Sequence, residues 1–534
     1  MPVAASAAPS IVLCTLNARY IHASLGLRYL LANLGHLRAR AVLREFTISE
    51  PAEQVAAKLL ALLGPGSSGV VQILGLGVYI WNVRQSCELL RLLRAARPDL
   101  QIVLGGPEVS HEPGEQEIVA LADFVITGWG DVSFGRLCKA LLRGTRPLGR
   151  VIPGEQPPLA QIALPYDEYS DADLAHRLLY VEASRGCPFK CEFCLSSLDQ
   201  SAWAFDLDRL LAALQRLHER GARNFKFVDR TFNLKVASSV RILQFFLDRM
   251  SEDLFLHFEV VPDRLPEPLK AVIARFPPGA LQLELGVQSF NEEVQRRISR
   301  RQDNALTEAN LRWLLTQSHA HLHADLIFGL PGETLHSFAA GFDRLHALGP
   351  HEIQLGILKR LRGTPIARHT TEFGMIYDAH APYSVRQTAA VDADTVRRFV
   401  RMAGYWERVA NSGRFGNTLP LLLGSDASSA FFAFLDFSDW MWQRFGKTHG
   451  LSPELLVDAL FDYLSQQSDL GASAVRRALL ADYLASGAQG RPRALAGQVS
   501  GRGQPGSAAG KRINRRQIRH TMGAAPPTGS KIGA

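Results

Sequence analysis

Twice along its 534 residues the chain alternates short β-rich runs with stretches of helical apolar spacing, and that alternation leaves few folds open. In the first series residues 11–16, 41–46, 70–78, 101–104 and 124–127 read as strands, and 25–34, 52–63, 83–96 and 114–122 carry helical spacing between them. Strands separated by helices pair in parallel, which predicts a doubly wound, Rossmann-like or flavodoxin-like sheet. Such sheets bind ligands beyond the carboxyl ends of their strands. Here those positions hold Asn17, residues 77–82 with Tyr79 and Asn82, Gly105-Gly106-Pro107 and Gly128-Trp129-Gly130.

A second series follows. Its strand candidates are 179–183, 224–228, 256–261, 281–287, 323–328 and 353–358, with helical stretches such as 207–219, 236–249 and 334–348 between them. Six such units predict a partial (βα)6 barrel whose site lies on the loops at the strands' carboxyl ends. From about residue 390 the period is helical, and the Phe and Trp of the run 431–442 are expected to pack inward. The fold class is therefore α/β, divided as an amino-terminal αβ domain (9–145), a proline-rich linker (146–176), the partial barrel (177–370), a mainly α-helical carboxyl-terminal domain (371–486) and a basic tail (487–534) expected to be flexible.

The net charge of +8 looks like a nucleic-acid signal until it is mapped. Nine basic residues and no acidic one lie beyond residue 486, so the body of the chain carries −1, and no nucleic-acid partner is expected. Residues 1–10 lack the basic and apolar segments of a signal peptide. The apolar stretch 421–442 is broken by Asp426, Asp436 and Asp439, which argues against a membrane span. These features predict a cytoplasmic protein.

Three of the six cysteines fall within eight positions, in Arg185-Gly186-Cys187-Pro188-Phe189-Lys190-Cys191-Glu192-Phe193-Cys194. Cys14, Cys87 and Cys138 stand in apolar or helical surroundings and read as buried thiols. Thiolates are soft ligands for zinc or iron–sulfur clusters, and three on a compact loop can hold three corners of a [4Fe–4S] cube. The fourth iron is then open, as a catalytic metal site requires. The competing reading is zinc completed by His176 or His218.

The Cys-x3-Cys-x2-Cys loop after the first strand of the second series resembles the hallmark of the radical S-adenosylmethionine (SAM) superfamily. The resemblance makes Cys187, Cys191 and Cys194 the catalytic cluster ligands, and implies that the open iron chelates SAM, which one electron cleaves to a 5′-deoxyadenosyl radical. It places Phe193 near the adenine. Asn224-Phe225-Lys226-Phe227-Val228-Asp229-Arg230 is similar to the family's second strand and loop, with Asp229 and Arg230 where a Gly-Gly-Glu usually meets the SAM amino group. Glu284-Leu285-Gly286-Val287-Gln288 resembles the fourth strand, with Glu284 and Gln288 directed at ribose and carboxylate. Residues 325–333 resemble the fifth, in which the backbone of Ile327 and Gly329 contacts adenine.

The amino-terminal domain resembles the cobalamin-binding domain of many radical SAM enzymes, with Asn17, Tyr79, Asn82, Gly105, Gly106 and Gly128 as corrin contacts. The Asp-x-His-x-x-Gly signature that ligates cobalt is missing, and His22 precedes Gly26 by four residues, so a form without a histidine ligand is expected. Together these features are similar to cobalamin-binding radical SAM proteins of undefined substrate with a helical carboxyl-terminal domain. They imply methylation or rearrangement of a small molecule, fed by an electron donor such as flavodoxin or ferredoxin, with Tyr79, Trp81 and Arg230 on the substrate side. Two alternatives remain: a radical SAM enzyme without corrin acting on tRNA or peptide, and a non-enzymatic metal sensor that binds nucleic acid through its basic tail.

Overall fold

The first strand, Ile11–Asn17, is buried along its whole length, as the centre of a sheet covered on both faces demands. In the computed structural model, which describes residues 8–66, 70–424, 429–466, 471–499, 517, 519 and 520, this β1 is joined by β2 (Ala41–Thr47), β3 (Ile73–Gly77), β4 (Gln101–Gly105), β5 (Phe124–Thr127) and β6 (Val151–Pro153). The order is β2-β1-β3-β4-β5-β6, all parallel, with the switch point between β1 and β3 that marks a flavodoxin-like ligand site. Side chains alternate across the sheet. Val12, Cys14 and Leu16 pack under the helices Ala52–Leu63 and Val83–Ala96, while Ile11 and Leu13 pack under Leu25–Ala32 and Ser133–Leu142.

All five strands expected in this series are present within a few residues of their predicted bounds. Strand β6 falls inside the proposed linker, which therefore begins by extending the sheet; three residues ending in proline gave no period to read. A short helix at Asp171–His176 also interrupts the linker, started by a capping box between Ser170 and Asp173.

The chain divides into two compact units, one of residues 1–258, 359–367 and 378–384 and one of 259–358, 368–377 and 385–534, so the division cuts the second strand series instead of following the expected boundaries at 177 and 370. Within the first unit β7 (Leu179–Val181), the small hairpin β8 (Ser184–Arg185) and β9 (Trp203–Ala204), β10 (Asn224–Phe227) and the start of β11 (Phe255–Val260) follow the amino-terminal sheet, with β7, β10 and β11 parallel. The excursion 359–367 closes on this unit: Arg362 reaches Glu108 and Glu112, each at 3.1 Å, and Ile366 N–H donates to the Glu192 carbonyl at 3.0 Å.

The second unit holds β12 (Leu281–Gln288), β13 (His321–Phe328) and β14 (Glu352–Ile357), parallel and in sequence order, then the helices Ala393–Val409, Ala430–Phe445, Pro453–Leu464 and Ala472–Ala485. The aromatic run packs inward only in part: Phe431, Phe434 and Phe437 are fully buried, with Trp406 4.9 Å from Phe342 and from Phe434, ring to ring, whereas Phe432 and Trp440 are half-buried and Trp442 is exposed, because they lie on the helix's other faces. The tail does not begin as a flexible segment. Ala494, Leu495 and Gln517 are buried, and Arg493 pairs with Asp462, because apolar and amide groups in the basic run find partners. Of the remaining tail cations, Arg502, Lys511, Arg512, Arg515, Arg516 and Lys531 lie outside the described residues. No helix among the described residues is long and apolar enough to cross a membrane.

Candidate active site

The cysteine loop leaves the sheet through a hairpin. Ser184 and Arg185 pair antiparallel with Ala204 and Trp203, so residues 186–202 close on themselves. Gly186 sits at φ +82, and a Cβ there would meet the Asp199 carbonyl at 2.7 Å; glycine lets the Cys187 N–H donate to that carbonyl at 2.8 Å. Farther along, Ser197 Oγ lies 2.9 Å from the Cys191 carbonyl and 2.6 Å from that of Cys194, whose N–H donates back to Cys191 at 3.1 Å. Backbone bonds thus set the three thiols in place.

Cys187 and Cys191 are buried, Cys194 is half-buried, and none forms a disulfide. Burial pushes the Cys187 thiol up; the Phe189 N–H pulls it back, Cys194 and Cys191 add to the rise, and Arg230 opposes it. Three thiolates that repel one another require a positive centre. Three thiols carried on one closed loop are a donor set for three corners of an iron–sulfur centre. His176 ends its short helix and His218 lies in the last turn of Leu207–Glu219; neither lines the cavity described next. The other cysteines behave as expected, with burial holding Cys87 near 11 and Cys138 near 12, and Cys14 higher still.

Beside the loop, within the first unit, lies a cavity of about 480 Å³, in the range of small-molecule sites. One wall comes from the ends of the amino-terminal strands, at Gly77, Tyr79, Gly105, Gly106 and Gly128. The other is the cysteine hairpin and the loop after β10, at Ser184, Gly186, Ser196 and Arg230. Gly106, at φ +109, packs so closely that a Cβ would come within 2.5 Å of the Val78 carbonyl, whereas a Cβ on Gly128, at φ +69, would meet nothing within 4 Å. These glycines keep the floor flat.

Arg185 joins the walls. Its guanidinium clamps Asp131 through two nitrogens at 2.8 and 3.0 Å, donates to Glu182 at 2.9 Å, and lies 4.4 and 4.8 Å over the rings of Tyr29 and Trp129. Trp129 in turn donates from Nε1 to Asp199 at 3.1 Å. Burial pushes the Glu182 carboxyl up, and Arg185 does not offset it. Sequence reasoning assigned no role to Arg185, Glu182, Tyr29 or Asp199; the available signal was an arginine immediately before Gly-Cys and three residues after a glutamate.

Of the expected contacts, Tyr79, Gly105, Gly106, Gly128, Asp229 and Arg230 line the cavity. Asn17 and Asn82 do not. Asn17 donates to the His22 carbonyl and to Glu45, both at 2.9 Å, and fully buried Asn82 ties Leu16, Gly77 and the Tyr79 N–H together, so both amides are consumed in shaping the loops. Trp81 also stays off the cavity, half exposed, stacked 4.5 Å from Tyr79. His22 is bonded through Nδ1 to Tyr180 at 2.8 Å and is absent from the lining. Asp229 is occupied as well: it accepts from Ala183 N–H at 2.9 Å and Ser184 Oγ at 2.6 Å, and burial pushes its carboxyl to about 7. Phe193 is half-buried and does not line the cavity.

The remaining expected contacts belong to the second unit. Glu284, Gly286 and Gln288 share one face of β12, opposite buried Leu283, Leu285 and Val287, and Gln288 at φ +69 marks an irregularity in the pairing with β13. Ile327 lies near the end of β13, and Gly329 follows at φ +86, where a Cβ would strike Val385 at 2.6 Å.

Residues 181–345 match the radical SAM superfamily, over the span that contains the cysteine loop and strands β10 to β13. The chain carries a radical SAM domain. Residues 371–508, after that domain, match a family described as a protein of unknown function (DUF4080). Beyond the radical SAM domain itself, the chain is 24% identical over 358 residues to the cobalamin-dependent radical SAM methyltransferase TokK of Streptomyces tokunonensis, covering 58% of this chain and 52% of that protein. The chain spans about half the length of the curated relatives it matches. In fold it resembles the radical SAM methyltransferase TsrM of Kitasatospora setae, solved with cobalamin and a [4Fe–4S] cluster (TM-score 0.54, 16% identity, 72% of this chain and 82% of that one). It also resembles the cobalamin-dependent radical enzyme OxsB, solved with aqua-cobalamin (TM-score 0.57, 14% identity, 89% and 79%).

Proposed function

We propose that the chain is a cobalamin-dependent radical SAM enzyme that methylates or rearranges a small molecule. The observation that carries this reading is the single cavity whose two walls are the glycine-rich ends of a flavodoxin-like sheet and the three-cysteine hairpin. When bound, the cluster supplies the electron that opens the SAM sulfonium and the corrin supplies a methyl group. The chain's own residues do the rest. Cys187, Cys191 and Cys194 hold the cluster, Gly105, Gly106 and Gly128 present a flat floor to a macrocycle, and Arg185 fixes the distance between floor and cluster loop. Glu182 and Asp229 put buried carboxylates beside a site that takes a sulfonium cation, where each is drawn toward its charged form. Arg230, exposed at the cavity rim, offers a cation to a carboxylate. The reading includes a cytoplasmic location and a flavodoxin or ferredoxin as electron donor.

The test is anaerobic reconstitution with iron, sulfide, SAM and cobalamin. Cys187→Ala, Cys191→Ala and Cys194→Ala are each expected to abolish reductant-dependent 5′-deoxyadenosine, and normal yields in all three reject the site. A corrin spectrum retained after desalting supports the two-cofactor reading; its absence, with SAM cleavage intact, selects the enzyme without corrin.

A further inference from the structure

A second cluster of ligating groups lies in the second unit, on strand ends that the first site does not use. His321 opens β13 and Glu352 opens β14, so both stand at the amino-terminal ends of their strands, the end away from Gly329. Both are buried. His520, in the tail, completes the group: His321 Nε2 lies 3.0 Å and His520 Nε2 3.9 Å from Glu352 Oε1, and one ligand atom from each residue lies within 4.8 Å of the other two.

We propose that His321, Glu352 and His520 form a zinc-class metal site that pins the tail to the base of β13 and β14. Two imidazoles and a carboxylate are a borderline-soft donor set suited to zinc. A tetrahedral ion with bonds of about 2.0–2.1 Å spaces its ligand atoms about 3.3–3.4 Å apart, between the two distances observed here. His520 Nε2 also lies 3.1 Å from the Asn411 carbonyl, a contact that an ion held by that nitrogen would replace, with water as the fourth ligand. His351, whose ring lies 4.6 Å from that of His321, is a wall and not a ligand: its Nδ1 accepts the Leu322 N–H at 3.0 Å, which leaves the proton on Nε2.

The tail is seated independently of any ion. Gln517 is buried and donates to Gln282 at 2.8 Å, and Gly413, at φ +65, approaches His520 so closely that a Cβ would fall 3.0 Å from its ring. A metal there adds a bond between residues about two hundred positions apart in the sequence, which is how structural zinc contributes to folding.

The experiment uses the full chain with Cys187, Cys191 and Cys194 replaced by Ala, so that zinc on the cluster thiols cannot be counted. After dialysis against metal-free buffer the protein is titrated with zinc against a chromophoric chelator. One zinc per chain is expected. His520→Ala should weaken it by at least about a hundredfold, the upper range for losing even a supporting partner of a metal ligand, and His520→Cys should restore binding, because a thiolate ligates zinc where an imidazole–carboxylate contact would not be rebuilt. Cobalt(II) loaded in place of zinc should show tetrahedral ligand-field bands that disappear in His520→Ala. No bound zinc in the chain lacking the three cluster cysteines, or equal zinc affinity with and without His520, overturns the site. His520 lies outside every strand, so its variants decide the question even if Glu352→Gln fails to fold.

Discussion

Two buried guanidinium knots in the first unit have different charge balances. In one, Arg28 and Arg177 face Glu45 and Asp173, two cations against two anions, with contacts of 2.8 Å from Arg28 to each carboxylate and 2.8 and 3.3 Å from Arg177. In the other, Arg185 alone faces Glu182 and Asp131. Burial pushes Glu45 and Asp173 up, yet their arginines outweigh it and hold both carboxyls below the usual range; at Glu182 burial wins. The balanced knot ties the sheet to the helix at Asp171–His176, and its helix gives the cavity wall Leu25, Leu27, Tyr29 and Leu30 but not Arg28. The unbalanced knot lines the cavity with Glu182, Arg185 and Asp131. Balance marks structure, and surplus negative charge marks the place for a cationic ligand.

Removing a cation separates these roles. Arg28→Met leaves two carboxylates to share Arg177 and is expected to cost about 3–5 kcal/mol, read by urea unfolding, while corrin affinity of the folded fraction stays unchanged. Asp229→Asn tests the buried carboxylate beside the unbalanced knot through pH. The folded-state carboxyl titrates near 7 and the unfolded one near its ordinary value; the native state therefore binds more protons between them, and stability falls as pH rises through about 4 to 7. The variant should remove a loss of about 2–4 kcal/mol over that window, seen as a flatter dependence of unfolding on pH. Glu45 and Asp173 act with the opposite sign, losing their contribution as pH falls through their lowered values.

Smaller changes sharpen the contrast. Arg185→Lys keeps the charge but loses the two-nitrogen clamp on Asp131, a cost of about 1–3 kcal/mol that should appear both in stability and as weaker corrin retention. The same exchange at Arg177 should leave retention untouched. Trp129→Phe keeps the ring under Arg185 but removes the bond to Asp199, for about 1 kcal/mol; its readout is a faster loss of cluster absorbance on exposure to air.

Much of this was legible in the chain. The expected strands of both series were legible because they are either near-continuous apolar runs, as in β1, or strict apolar–polar alternations, as in β12, and the cysteine loop because ligand spacing is local. Strand β6 and the β8/β9 hairpin were not, since three- and two-residue strands have no period. Asn17 and Asn82 were read as ligand contacts from their place after strands, but a buried amide that must satisfy loop carbonyls looks the same in sequence as one that meets a ligand. The pairing of Arg185 with Asp131 was not legible for the complementary reason: 54 residues separate the two, and no periodicity reports a pairing at that range.

Trp129 and Arg185 give the cavity's opposing surfaces a common skeleton. Any influence that loading one surface has on the grip of the other is, by thermodynamic reciprocity, equal in both directions. Whatever factor an occupied corrin seat adds to sulfonium affinity, sulfonium must return to the corrin.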